Sequence, residues 1–190
     1  MDLDEIKRGL RKSVRERMPP PGSDAFIAAS LAAQERLASW LLRHDESVRM
    51  VGLYRALPSE CGTLELSRIL TEMGREVCYP IIDPERRELR FRRGDGGFAP
   101  GALGIEEPLG ERFVDLQHLQ VLVVPALAVD AKGRRLGRGR GHYDATLALC
   151  PCPSVALVFD SQLVPEVPVG EHDRPVDAVC TDLRLIERST

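Results

Sequence analysis

Between Asp130 and Asp144 the chain reads DAKGRRLGRGRGHYD. Gly137, Gly139 and Gly141 alternate there with Arg138 and Arg140, after the apolar run VLVVPALAV (121–129) and before a stretch that reads as helix. Glycines let a backbone approach a ligand closely with its amides turned inward. A helix that starts just after them adds a positive end. Arg135, Arg138 and Arg140 bring forked, permanently charged donors. Together these features suit a polyphosphate; a solvated glycine turn is the plainer alternative. Two familiar phosphate loops are excluded. G-x-x-x-x-G-K-[ST] is absent, and G-x-G-x-x-G fails because Asp144 stands where its last glycine belongs.

Other candidates are scattered. Lys7 and Arg11 lie four apart, hence on one helical face, and both can point into one cleft; a solvated basic face would look the same. Glu60 lies between a strand and a helix, where a loop or capping acid is ordinary. Asp144 and Asp173 read equally as a first-turn helix acid and a loop-turn acid. Lysine occurs only at Lys7, Lys12 and Lys132, so each lysine weighs more than any of the many arginines. Of the five cysteines, only Cys150 and Cys152 are close in sequence. One C-x-C without partner histidines is a poor zinc signal, so free thiols in a reducing compartment are expected.

The elements that must hold these residues can be read from periodicity. Ile6, Leu10 and Val14 predict a helix over 3–17, stopped by Pro19-Pro20-Pro21-Gly22. A second helix is expected over about 24–44, with Ser23 or Asp24 as its cap. Strands are expected at 48–53, 76–82, 121–129, 154–159 and, briefly, 176–180. Leu89 and Phe91, alternating with arginines, suggest a half-exposed edge strand. Helices are expected over 63–73 and 141–149. Pro125 implies a break or sheet end within 121–129. The glycine-rich segment 94–110 reads as a loop anchored by Phe98, Leu103 and Ile105. Alternating strands and helices argue an α/β fold with a mostly parallel sheet, in one domain spanning 1–190.

Composition narrows the partners. Hydrophobic residues make up 43% and charged residues 29%, which excludes a disordered chain. Aromatics are only 5%, too few for a protein that stacks many bases. A net charge of −3 and a pI near 5.9 give no general attraction to nucleic acid or anionic membranes. With no apolar leader and no run near the ~18 residues that span a bilayer, a cytoplasmic location is expected.

The stretch VPALAVDAKGRRLGRGRGHYDATL resembles the signature of the 5-formyltetrahydrofolate cyclo-ligases, also called methenyltetrahydrofolate synthetases. That pattern is a strand ending in proline, an aspartate, a glycine turn, RLGxGxGYYD and a helix. The resemblance extends over nearly the whole chain. Lys7-Arg8-Gly9-Leu10-Arg11 is similar to the family's K-x-x-L-R helix, and Glu60 with Thr63 to its E-x-x-T segment. Gly104 to Pro108 is similar to its G-I-x-E-P turn, and Val167-Pro168 with Asp173 to its C-terminal V-P…D.

The resemblance implies a three-layer, Rossmann-like α/β domain with a central mixed, mostly parallel sheet, helices on both faces and the site at the strands' carboxyl ends. It implies that ATP and 5-formyltetrahydrofolate give 5,10-methenyltetrahydrofolate, ADP and phosphate, with Mg2+, in a monomer. The implied ATP contacts are Lys7, Arg8 and Arg11, then Arg135, Leu136, Gly137, Arg138, Gly139, Arg140, Gly141, His142 and Tyr143. The implied folate contacts are Arg11, Tyr54, Glu60 and residues 138–142 (Arg138, Gly139, Arg140, Gly141, His142). Asp144 and Asp173 are the implied magnesium ligands, and Arg138 and Arg140 the groups that stabilise the transferring phosphoryl. Core packing is an equal reading of Tyr54. His142 departs from the family's tyrosine; a histidine can still stack and hydrogen-bond, and it changes charge near neutral pH. A relative that binds ATP yet acts on another substrate is the alternative, since fold does not fix function.

Overall fold

Val121–Val124 is buried at every position, as a strand covered on both faces must be. In the computed structural model, which describes residues 2–44 and 47–188, it lies in the middle of an eight-stranded sheet. The elements in chain order are α1 (Leu3–Arg17), α2 (Asp24–His44), β1 (Met50–Gly52), α3 (Leu64–Glu72), β2 (Glu76–Ile81), β3 (Arg90–Arg93), β4 (Phe98–Pro100), β5 (Glu106–Pro108) and β6 (Phe113–Val114). There follow β7 (Val121–Val124), β8 (Ala128–Val129), β9 (Arg135–Leu136), α4 (His142–Leu149), β10 (Ser154–Leu157), β11 (Ala178–Cys180) and β12 (Leu185–Glu187).

The sheet order is β12-β11-β10-β7-β1-β2-β3-β6. The five inner strands β11, β10, β7, β1 and β2 are parallel; β12, β3 and β6 pair antiparallel at the edges. Alternation along β7 divides the core. Val121 and Val123 face one side, with Leu37 of α2 and Leu66 and Leu70 of α3. Leu122 and Val124 face the other, where Leu89, Phe91 and Leu147 of α4 cover them. Helices therefore sit on both faces, giving the three-layer α/β arrangement.

Several details differ from the periodicity reading. The run 121–129 is two strands, because Pro125 cannot donate to a ladder and the chain leaves the sheet there. Segment 94–110 is not wholly a loop: β4 and β5 pair as a small hairpin. Phe98 anchors it edge-on against Tyr79, with ring centres 4.9 Å apart, whereas Leu103 is 46% exposed and anchors nothing. The short strands β6, β9 and β12 fall below the length at which alternation can be read.

Helix α1 lies off the main sheet. Acids in its first turn and arginines in its last oppose its dipole. Its Val14 is buried with Leu10 against Ala128, Leu136 and Val167, that is, on the β8–β9 ribbon. This contact carries Lys7 and Arg11 to the glycine-rich loop that follows β9.

Candidate functional site

The β8–β9 ribbon is organised by Asp130, which is 1% exposed. Its Oδ1 accepts the amides of Lys132 and Arg134, and its Oδ2 accepts the Val167 amide and Arg134 Nε. Gly133 turns the chain at φ +75°, with its carbonyl accepting the Val176 amide. Beyond the Pro125 break, buried Gln162 donates to the Ala126 carbonyl at 2.7 Å and tethers the chain as it leaves the sheet. Sequence reasoning missed Asp130 and Gln162 as organisers, because side chains that bond backbone amides and carbonyls leave no periodic signal.

This scaffold opens a cleft of about 640 Å³ at the carboxyl ends of β1, β2 and β7. Residues Arg135 to Asp144 form one wall, Lys7 and Arg11 another, and Tyr54, Glu60 and Asp173 also line it. Of the site residues read from the sequence, Arg8 alone does not line it; that side chain is exposed. Lys7 is one helical turn from Arg11, and the intervening position 8 points elsewhere.

The loop's geometry matches its composition. Gly139 and Gly141 adopt φ of +101° and +74°, and Gly141 caps α4 with no side chain to block the helix end. Among the described residues, no acceptor takes the backbone amides of Arg138, Gly139, Arg140 or Gly141. Arg140 is exposed and has no ion-pair partner among the described residues, so its guanidinium is open to the cleft. Free amides, a helix N-terminus and an exposed arginine are features that suit an anion.

Around that loop the charged groups pair across long stretches of chain. Arg11 Nε donates to the Gly137 carbonyl at 3.0 Å. Arg138 Nε donates to Glu60 Oε1 at 2.8 Å, and its other arm reaches Ser59 Oγ. Glu60 Oε2 accepts the Leu57 amide, which fixes the carboxylate plane. Lys7 Nζ lies 2.5 Å from Asp173 Oδ2, which also accepts the Gly170 amide. Burial alone would raise the Asp173 carboxyl; Lys7, the Gly170 amide and Arg135 outweigh it and hold the carboxyl below its ordinary value.

Three residues have more structural roles than the sequence suggested. Arg135 has a side chain only 2% exposed, and its guanidinium bonds Asp144 Oδ1 at 2.8 Å. Desolvation pushes that guanidinium down and the Asp144 charge holds it up. It positions Asp144 more than it offers charge to a ligand. Tyr143 packs into both core layers, and burial raises its phenol well above the ordinary value. Tyr54 is buried and donates to the Cys61 carbonyl at 2.6 Å, so its ring edges the cleft while its hydroxyl is occupied. His142 Nδ1 is 2.8 Å from the Arg87 carbonyl; a carbonyl only accepts, so Nδ1 carries the proton and Nε2 is an acceptor when the ring is neutral.

The cleft also contains residues that the sequence did not mark. Arg55 lies over the Phe98 ring, 4.2 Å from its centre, and pairs with Glu106. Leu57, Leu89, Leu103 and Ile105 supply an apolar side. Of these, Leu89 and Leu103 read in the sequence only as strand and loop-anchor residues, and Ile105 alone also falls in the family-like turn at 104–108.

Mixed apolar and cationic walls around a glycine-rich anion loop suit a ligand with a flat organic part and a polyphosphate. The 5-formyltetrahydrofolate cyclo-ligase family model matches residues 4–182. The chain is 35% identical over 161 residues to a 5-formyltetrahydrofolate cyclo-ligase of Mycolicibacterium smegmatis, covering 80% of this chain and 83% of that protein. It is 25% identical over 194 residues to the mouse protein of the same name, covering 93% and 94%. Among solved structures it resembles Aquifex aeolicus 5,10-methenyltetrahydrofolate synthetase, with a TM-score of 0.78, 26% identity and coverage of 97% and 96%. With the family match running almost end to end, and the glycine–arginine loop, Lys7, Arg11 and Glu60 lining one cleft, the chain belongs to the 5-formyltetrahydrofolate cyclo-ligase family.

Proposed function

We propose that this cleft converts 5-formyltetrahydrofolate and ATP to 5,10-methenyltetrahydrofolate, ADP and phosphate, as a step in one-carbon folate metabolism. The observation that carries this reading is the Arg138–Glu60 ion pair, which joins the phosphate-type loop to a fixed carboxylate in one cleft. A pterin presents adjacent N–H donors in one plane, and Glu60 is a planar double acceptor held by the Leu57 amide. The free amides of 138–141, with Lys7, Arg11 and Arg140, are suited to the triphosphate.

In this reading the formyl oxygen attacks the γ-phosphorus, ADP leaves, and an iminium-type phosphate ester forms at N5. N10 then attacks the activated carbon and loses its proton, and phosphate departs as the ring closes. The protein supplies no covalent nucleophile. It holds two ligands in line and neutralises charge on the moving phosphoryl group, the role assigned to Arg140 and Arg138.

Magnesium fits the acids present. Asp144 directs Oδ1 to Arg135 and to the Arg174 amide, and Asp173 directs Oδ2 to Lys7 and Gly170. The second oxygen of each carboxylate has no hydrogen-bond partner among the described residues, and a hard cation completed by phosphate oxygens and water needs such ligands. When bound, the ion would supply charge neutralisation across the phosphates. The buried thiols of Cys61, Cys78 and Cys180 suit a reducing cytoplasm, and we take the working unit to be a monomer.

The test is an ATP-dependent rise in absorbance of the methenyl product when 5-formyltetrahydrofolate is added. Binding of ATP with no such rise would favour the alternative, a nucleotide-binding relative that acts on another substrate.

A further inference from the structure

Cys150 and Cys152 lie at the opposite end of α4 from the cleft, about 12 Å along its eight residues. Cys150 is the residue at which α4 ends, in extended conformation at φ −85° and ψ 118°. Extended backbone puts residues i and i+2 on one face, and Pro151 between them fixes its own φ. The two Sγ atoms are consequently 3.1 Å apart, and both residues are partly exposed. No other cysteine is comparably placed: Cys61, Cys78 and Cys180 are buried in the core layers, far apart in sequence.

We propose that Cys150 and Cys152 form a reversible dithiol–disulfide site that exchanges with small-molecule disulfides, separate from the chemistry of the cleft. The two sulfurs are in hydrogen-bond contact, and this lowers the Cys150 thiol below its ordinary value despite partial burial. Burial pushes the other three thiols up to about 12. Cys150, partly exposed and lowered by its neighbour, is therefore the attacking sulfur, and the buried core thiols are inert. In the first step the Cys150 thiolate attacks one sulfur of a disulfide R–S–S–R, the S–S bond breaks, and R–S⁻ leaves. In the second, Cys152 gives its proton to the departing thiolate and attacks Cys150 Sγ. The Cys150–Cys152 bond forms and the second group leaves as R–SH. Two protein thiols are oxidised and one disulfide is reduced to two thiols.

The site is tested on the full-length reduced protein with oxidised glutathione as the probe. Remaining thiols are then alkylated in denaturant and the products weighed. The expected wild-type product carries three alkyl groups rather than five on a polypeptide two hydrogens lighter than the reduced chain, with the 150–152 peptide unalkylated and the other three cysteines fully alkylated. Cys152→Ser is expected to stall as a glutathione mixed disulfide at Cys150, and Cys150→Ser to react roughly tenfold more slowly than wild type. A wild-type protein that retains all five alkylatable thiols, or that accumulates a mixed disulfide as Cys152→Ser does, would overturn the proposal whatever the variants do.

Discussion

Lys7 Nζ and Asp173 Oδ2 meet at 2.5 Å although 166 residues separate them in the chain. The contact fastens the first helix to the C-terminal loop across the mouth of the cleft. Because the folded-state carboxyl is depressed, the pair contributes stability above about pH 3.9, the unfolded aspartate value. That contribution is lost as the pH falls through the lower folded-state value. Urea unfolding across this range should show a steeper acid loss in wild type than in Lys7→Met. Parallel curves would mean that the pair contributes nothing.

The two magnesium candidates should separate by their second roles. Asp173→Asn is expected to raise the magnesium needed for half-maximal turnover and to lower stability only by the partly exposed Lys7 pair that it breaks. Asp144→Asn should do the same and also destabilise by about 3 kcal/mol, since it takes the charge from a buried Arg135. Titrating magnesium against turnover, alongside thermal melts, reads both. Unchanged magnesium dependence in both variants would remove the acids from the metal shell.

Arg140 and Arg134 sit close in sequence but face different partners. Arg134 bonds buried Asp130 and exposed Glu166, so Arg134→Ala should lower the melting temperature and spare kcat. Arg140 has no such structural partner among the described residues, so Arg140→Ala should spare stability and lower kcat by roughly 10²–10³. Equal small effects of the two would end the special role of Arg140.

In the proposed reading Glu60 exchanges Arg138 for the pterin, because both call on the same carboxylate. Glu60→Gln removes charge-assisted bonds worth about 1.5–3 kcal/mol, so KM for 5-formyltetrahydrofolate should rise about 10- to 150-fold. KM for ATP should hold, since a carboxylate does not attract phosphates. An equal rise for both substrates would return Glu60 to a purely structural role through Arg138.

Gly133 provides a test of the scaffold. A Cβ there would lie 2.1 Å from the Val176 carbonyl oxygen, in a left-handed backbone. Gly133→Ala should therefore cost more than about 2 kcal/mol. A melting temperature equal to wild type would contradict this account of the turn.

The sequence by itself determined the long elements and the loop. Ile6, Leu10 and Val14 spell out α1, and the apolar run after residue 121 spells out the central strand. The glycine–arginine alternation spells out an anion loop, because local backbone freedom and charge are written residue by residue. Tertiary structure decided which charges are free. Nothing in the spacing distinguishes Arg135, buried on Asp144, from Arg140, open to the cleft. Nor could spacing turn Arg8 away from the cleft or bring Arg55 into it. Such outcomes depend on which helix face packs and which side chain loses water, and those are set by contacts between segments as distant as residues 7 and 173.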